Sequence, residues 1–261
     1  MALAQTECQS SVMTEPRPAA ESATGSTPGP WREVRSDVYV AVAEPESVNL
    51  GLIVGSTRAL LVDTGSTPVQ GRAIRASLAA VTDKPLAAVV LTHWHYDHAF
   101  GLAAYSDIPR IAHESVHVRL ASAESAAEAQ RLGVEPEELG RPNVRIAVAT
   151  AVDLGERRVE IAHLGSGHTD GDLVVVVPDA DLLFVGDLIE SSGPPSFGPD
   201  SVPGEWPATV DAVIGLMTAD TLAVPGHGAP VGREFVFEQR GRIAAQAAAK
   251  DSPPRPELPL V

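Results

Sequence analysis

Three histidines and a carboxylate fall within six residues, at His93-Trp94-His95-Tyr96-Asp97-His98. Just before them, Leu86-Ala-Ala-Val-Val-Leu91 is an apolar run rich in β-branched residues, which predicts a buried strand. Just after them, Ala99, Phe100 and Gly101 can open a helix. The fold must therefore deliver four polar side chains at the C-terminal end of a buried strand, in a loop held by a rigid scaffold. Imidazole and carboxylate suit zinc and other divalent transition metals. In an extended turn His93 and His95 point to one side and can share an ion. Asp97 and His98 follow a bend and can serve a second ion beside it.

At 261 residues the chain suits one large α/β domain or two small ones. The net charge of −15 argues against a nucleic-acid partner, whose phosphates want a basic surface. No stretch reaches the ~18–20 apolar residues of a membrane span. Two lysines against seventeen arginines, with many alanines, hint at a high-GC bacterial genome. The single cysteine, Cys8, excludes an intrachain disulfide and is remote in sequence from the histidine stretch. The first residues lack the basic and apolar regions of a signal peptide, so the cytoplasm is the expected compartment, although Met13 could equally be the start.

Residues 1–30 are rich in Ser, Thr, Pro, Glu and Ala and read as a disordered tail. One domain is expected over 31–250, and 251–261 as a Pro-rich tail. Short strands are predicted at 38–42, 48–54 and 59–62, the last ending in Asp63-Thr64-Gly65. A helix over 68–81 follows, with Val69, Ala73, Ile74, Leu78 and Val81 near one face. A short helix near 101–105, a strand at 110–112 and a helix from about 114 to 132 come next. Strands are then predicted at 152–154, 158–162, 173–177, 182–185 and 222–224, with helices at 206–217 and 234–249. Residues 191–207 hold five prolines and three glycines and read as a long irregular loop. Two strand-rich halves, 37–112 and 150–226, each mixing strands with helices, permit two sheets packed face to face with helices outside.

Three more polar residues stand beside apolar strands with glycine next to them, in Gly167-His168-Thr169, Gly186-Asp187 and Pro225-Gly226-His227-Gly228. The ordered set H-x-H-x-D-H, G-H-T, G-D and P-G-H-G resembles the metallo-β-lactamase-fold superfamily over nearly all of 31–245, in its Asp-bridged branch. That resemblance implies an αββα sandwich, two mixed β-sheets flanked by helices, with the site at one edge. It implies His93, His95 and His168 on one metal, Asp97, His98 and His227 on a second, and Asp187 bridging. Asp63, in what looks like the family's early Asp motif, would steady a ligand or its loop. Two divalent ions follow, zinc first, with iron or manganese as alternatives. The expected activity is hydrolysis of an ester, thioester, lactone or amide of a small molecule, using hydroxide generated at the metals, with Asp97 able to orient it. Trp94, Tyr96, Phe197 and Trp206 are candidates for the substrate mouth, and the 191–207 loop for a lid.

Other readings compete. His113-Glu114-Ser-Val-His117 matches the H-E-x-x-H metalloprotease motif, with Glu137 as a third ligand, but it leaves the first cluster unexplained. His163 reads as structural, and Arg141, Arg145, Arg157 and Arg158 as solvated. Among family branches, β-lactamases with a cysteine at the second metal are disfavoured, because Asp187 stands where that cysteine would. A mononuclear iron persulfide dioxygenase and a non-catalytic, metal-stabilised binding module are the alternatives to a hydrolase.

Overall fold

The computed structural model describes residues 27–251, so most of both expected tails lies outside the described residues. Strands β1 (Arg32–Arg35), β2 (Val38–Ala43), β3 (Val48–Val54), β4 (Ala59–Val62), β5 (Leu86–Val90), β6 (Arg110–His113) and β7 (Val144–Ile146) form one sheet in sequence order. The pairings up to β3–β4 are antiparallel, and β4 through β7 run parallel. Parallel neighbours need a crossover, and α1 (Pro68–Ser77) supplies the one between β4 and β5. The second sheet is built from β8 (Ala149–Asp153), β9 (Arg158–Ala162), β10 (Val174–Val177), β11 (Leu182–Gly186), β12 (Leu222–Pro225) and β13 (Val231–Gly232), in the order β13-β12-β11-β10-β9-β8. Only β11 and β12 are parallel there. Helix α5 (Trp206–Gly215) lies on the path between them.

The two sheets face each other across one apolar layer. Leu60, Val62, Ala88 and Val90 of the first sheet pack with Ile161, Val175, Leu182 and Phe184 of the second. The alternate residues point outward: Leu61 and Val89 join Ile74, Phe100 and Tyr105 under the helices of the first sheet. Val174, Leu183 and Val185 join Trp206, Val210 and Ile243 under α5 and α6 (Arg233–Asp251). Both faces of the central strands are thus covered, which is why their sequences read as unbroken apolar runs rather than alternation. The architecture is the expected αββα sandwich.

Several local expectations shift. Thr67 caps α1 by accepting from the Gln70 amide, with Pro68 in the first turn where its missing N–H costs nothing. The buried face of α1 is Gln70, Gly71 and Ile74, while Val69 is 52% exposed. Gln70 can be buried because its amide accepts from Ser66 N at 2.7 Å and donates to Glu44 O at 2.6 Å. Gly71 lets α1 meet the turn behind the histidine loop: a Cβ there would lie 2.2 Å from Gly101 O. The helix expected over 114–132 is two, α3 (Glu114–Arg119) and α4 (Ala123–Arg131), because Ser122 caps a new start by accepting from Ser125 N. Arg157 is not solvated: it donates to Val54 O and Ser36 O and pairs with Asp179 at 2.9 Å.

Candidate metal centre

The site lies along one edge of the sandwich. His93 and His95 leave the C-terminal end of β5, and the one-turn helix α2 (Tyr96–Ala99) carries Asp97 and His98. His168 precedes β10, Asp187 follows β11 and His227 follows β12. Strand direction puts all three on the same edge of the second sheet, since β10 is antiparallel to β11, and β11 parallel to β12. Gly226 is needed for closure, because a Cβ at that position would lie 1.7 Å from Asp187 Oδ1.

Seven side chains converge. Ligand atoms of His93, His95, His168 and Asp187 lie within 4.8 Å of one another, as do those of Asp97, His98 and His227. Within the first group, His95 Nδ1 is 3.2 Å from His93 Nε2 and 2.9 Å from His168 Nε2. Within the second, His227 Nε2 is 3.3 Å from Asp97 Oδ2 and 3.4 Å from His98 Nε2. Asp187 stands between: Oδ2 is 3.5 Å from His168 Nε2 and 3.6 Å from His227 Nε2, and Oδ1 is 3.4 Å from His98 Nε2.

The outer nitrogen of every one of these rings has its own partner. His98 Nδ1 meets Asp63 Oδ2 at 2.8 Å. His95 Nε2 meets Asp200 Oδ2 at 3.0 Å. His168 Nδ1 and His227 Nδ1 meet the carbonyls of Ser196 and Glu46 at 3.2 and 3.0 Å. His93 Nδ1 meets Thr92 Oγ1, whose own proton goes to Asp63 Oδ2 at 2.8 Å. All five partners act as acceptors, so each ring's proton sits on its outer nitrogen and its lone pair faces inward. Inward lone pairs 3 Å apart, beside two carboxylates, repel unless cations sit among them. Asp187 Oδ1 is buried and accepts no hydrogen bond, which leaves its lone pairs to face a cation. The residues therefore fit divalent ions, which imidazole nitrogens and carboxylate oxygens suit. Burial pushes His168 down to about 4 and His93 well below the ordinary imidazole value, keeping them neutral, whereas against their burial the neighbouring carboxylates hold His95, His98 and His227 above it, the attraction for positive charge that a cation would satisfy.

A cleft of about 840 Å³ opens over the cluster, walled in part by Trp94, Tyr96, Asp97 and Asp200. Trp206 does not reach it: the indole is fully buried in the core, donates to Leu188 O at 3.1 Å and backs the ring of His168. Phe197 packs on Trp206, with ring centres 4.7 Å apart, rather than lining the cleft. The rival motif is not assembled. His113 caps α3 instead of lying on it, and its ring stacks on His163 at 4.2 Å. Among the described residues neither His113, His117 nor Glu137 falls in a group able to hold a metal.

Asp200 was not foreseen. It comes from the long irregular loop and accepts both from Trp94 Nε1 at 2.8 Å and from His95. Those bonds outweigh burial and hold its carboxyl at about 2. A Gly-Pro-Asp turn carries no signal of that role.

The comparisons agree with this geometry. The profile of the metallo-beta-lactamase superfamily matches residues 43–227. The chain is 27% identical over 181 residues to a metallo-beta-lactamase type 2 of Bacillus sp. (strain 170), spanning 68% of this chain and 66% of that one. It is 26% identical over 227 residues to a metallo-beta-lactamase type 2 of Bacteroides fragilis, covering 83% and 84%. A solved metallo-beta-lactamase from Pontibacter korlensis superposes with a TM-score of 0.70 at 20% identity, over 82% of this chain and 98% of the other. With the superfamily profile spanning both the histidine loop and His227, the chain belongs to the metallo-beta-lactamase superfamily.

Proposed function

We propose that this protein is a hydrolase with two divalent ions, most simply zinc, that cleaves an ester, thioester, lactone or amide bond of a small molecule. The supporting observation is the pair of inward-facing ligand groups joined by Asp187, with every outer imidazole nitrogen engaged. His93, His95 and His168 would hold one ion, Asp97, His98 and His227 the other, and Asp187 both. When bound, two such ions activate water near neutral pH and polarise the scissile carbonyl.

The chain's own residues do the rest. Asp63, through His98 and Thr92, fixes two rings at once. Asp97 lines the cleft with its side chain 13% exposed, placed to orient water and to take its proton. Trp94 and Tyr96 give the cleft apolar walls that position a small substrate.

The test is metal per chain in the purified protein, followed by an ester, lactone and thioester panel. About two zinc per chain with turnover is the expected result. About one iron, with oxygen uptake on persulfides, would replace hydrolysis by dioxygenation. Absence of metal after reconstitution would leave only a binding module and overturn the proposal.

A further inference from the structure

The cleft has a charge pattern that the metal ligands do not explain. Beyond those ligands its wall carries Glu46, Glu124, Glu128 and Glu190. Among the described residues lining it, Arg131 is the only lysine or arginine. Arg131 is already spent: its Nε sits 3.1 Å from both oxygens of Glu128, and its guanidinium lies over the Tyr96 ring at 5.4 Å. Away from the metal ligands, a substrate carboxylate or phosphate would meet Glu46, Glu124 and Glu190 on the cleft wall and no unpaired lysine or arginine.

Two of these carboxylates are built in rather than scattered on the rim. Glu190 is held by its backbone, whose N–H donates to Oε1 of the fully buried Gln239 at 2.8 Å while its carbonyl accepts from the same amide. Its side chain is half-buried and receives the Ser192 hydroxyl. Burial pushes its carboxyl above the ordinary value. Glu46 is positioned from the opposite direction: its carbonyl accepts from His227 Nδ1 at 3.0 Å, and its carboxylate is near enough to Tyr96 to help burial raise that hydroxyl above its ordinary value. The chain next to Glu190 is tied to the same histidine, with Ser191 N donating to His227 O at 3.1 Å. The two carboxylates therefore flank the His227 side of the cleft. Neither belongs to the ligand groups.

We propose that the substrate carries a positively charged group, such as an alkylammonium, held at the His227 side of the cleft by Glu190 and Glu46. This rests on the hydrolase reading, and it makes Glu190 the main residue that sets specificity. Two half-buried carboxylates without a basic partner, on one wall of the cleft, attract a cation and repel an anion of the same shape.

The test uses the metal-loaded enzyme and p-nitrophenyl esters that differ only in the end of the acyl chain: trimethylammonium, its neutral tert-butyl isostere, and carboxylate. The expected order of kcat/KM is cation over neutral by roughly tenfold, and neutral over anion by at least as much, with both gaps closing as salt rises. Glu190→Gln should erase most of the gap between cation and neutral ester and leave metal content unchanged. Glu46→Gln should act in the same direction and serves as the second variant. Calorimetric binding of butyltrimethylammonium and of pentanoate gives a readout independent of turnover. Hydrolysis without charge preference would overturn this proposal and leave the hydrolase reading standing. Failure to hydrolyse any ester, with cation binding that depends on Glu190, would overturn the hydrolase reading and leave charge selection standing. Equal binding of both probes would overturn charge selection.

Discussion

His93, His95 and His98 leave the end of β5, and His113 and His117 leave the end of β6, the neighbouring parallel strand. Both stretches carry spacings known to bind metal, and both start from buried strand ends. The difference lies in what reaches them. Three loops of the second sheet, carrying His168, Asp187 and His227, come to the end of β5. What comes to the end of β6 is the ring of His163, which stacks on His113. The conformations differ too. H-E-x-x-H needs both histidines on one helical face, four residues apart, but His113 is the cap of α3, with extended backbone at φ −60° and ψ 149°. Spacing names a site only when the backbone has the conformation that the spacing presupposes and a second element supplies the remaining ligands.

The largest effect should come from removing the residue that joins the two ligand groups. Asp187→Ala is expected to release at least one metal per chain and to cut hydrolysis by roughly a thousandfold or more. The matching change in the other stretch, His117→Ala, should leave metal content intact and activity within about twofold. Elemental analysis and steady-state rates on the two variants, side by side, check this. Metal loss from His117→Ala would break the contrast between the stretches, and full activity in Asp187→Ala would remove the bridging role.

A smaller effect is expected one layer out. Asp200→Asn weakens the acceptor for His95 Nε2 without removing a ligand, and such outer partners are worth about 10–100-fold in metal affinity. Chelator competition on the purified variant reads this directly. Because Asp200 also holds Trp94, the indole fluorescence should shift together with the affinity. An unchanged chelator titration would mean that the loop covers the site without tuning it.

Asp200 also marks where sequence reading stops. The histidine loop was legible because four ligand types fall within six positions after an apolar strand. His168, Asp187 and His227 were legible because each sits beside glycine at the end of an apolar run. The sheet strands that carry them were legible because both faces are covered. Asp200 meets Trp94 and His95 across 106 and 105 residues, and no local pattern encodes that meeting. The edge strands β1, β7 and β13 were missed for a related reason: they are short and largely exposed, so hydrophobic periodicity never forms. The face of α1 was only partly legible: Ile74 and Leu78 are buried as expected, but a hydrogen-bonded glutamine and a glycine share that face in place of Val69, and an apolar count ignores them. Trp206 starts α5 as expected, but it was also placed at the mouth because a tryptophan beside a long loop invites it, whereas its indole fills the core.

The smallest expected effect is on stability, and it belongs to the second stretch alone. Burial, then the neighbouring His163, push His113 below the ordinary imidazole value, while Glu114 and Asp170 pull weakly the other way. Its Nδ1 also accepts from Ser115 N at 3.3 Å to cap α3, a bond that protonation of that nitrogen would break. The folded state therefore prefers neutral His113. Its contribution is fully present above the unfolded value of about 6.5 and is lost as pH falls below that, toward the lowered folded value. Between pH 7.5 and 5.5 the wild type should lose roughly 1–3 °C more in Tm than His113→Asn, in which asparagine keeps a capping acceptor and carries no proton. Metal-loaded protein is used for both, so that the first stretch stays occupied and its own histidines do not titrate. Superimposable Tm–pH curves would mean that the stacked pair bears no acid sensitivity and is held by packing alone. A divergence confined to low pH would show that His113, unlike the histidines that follow β5, takes up a proton in acid as an imidazole that holds no metal.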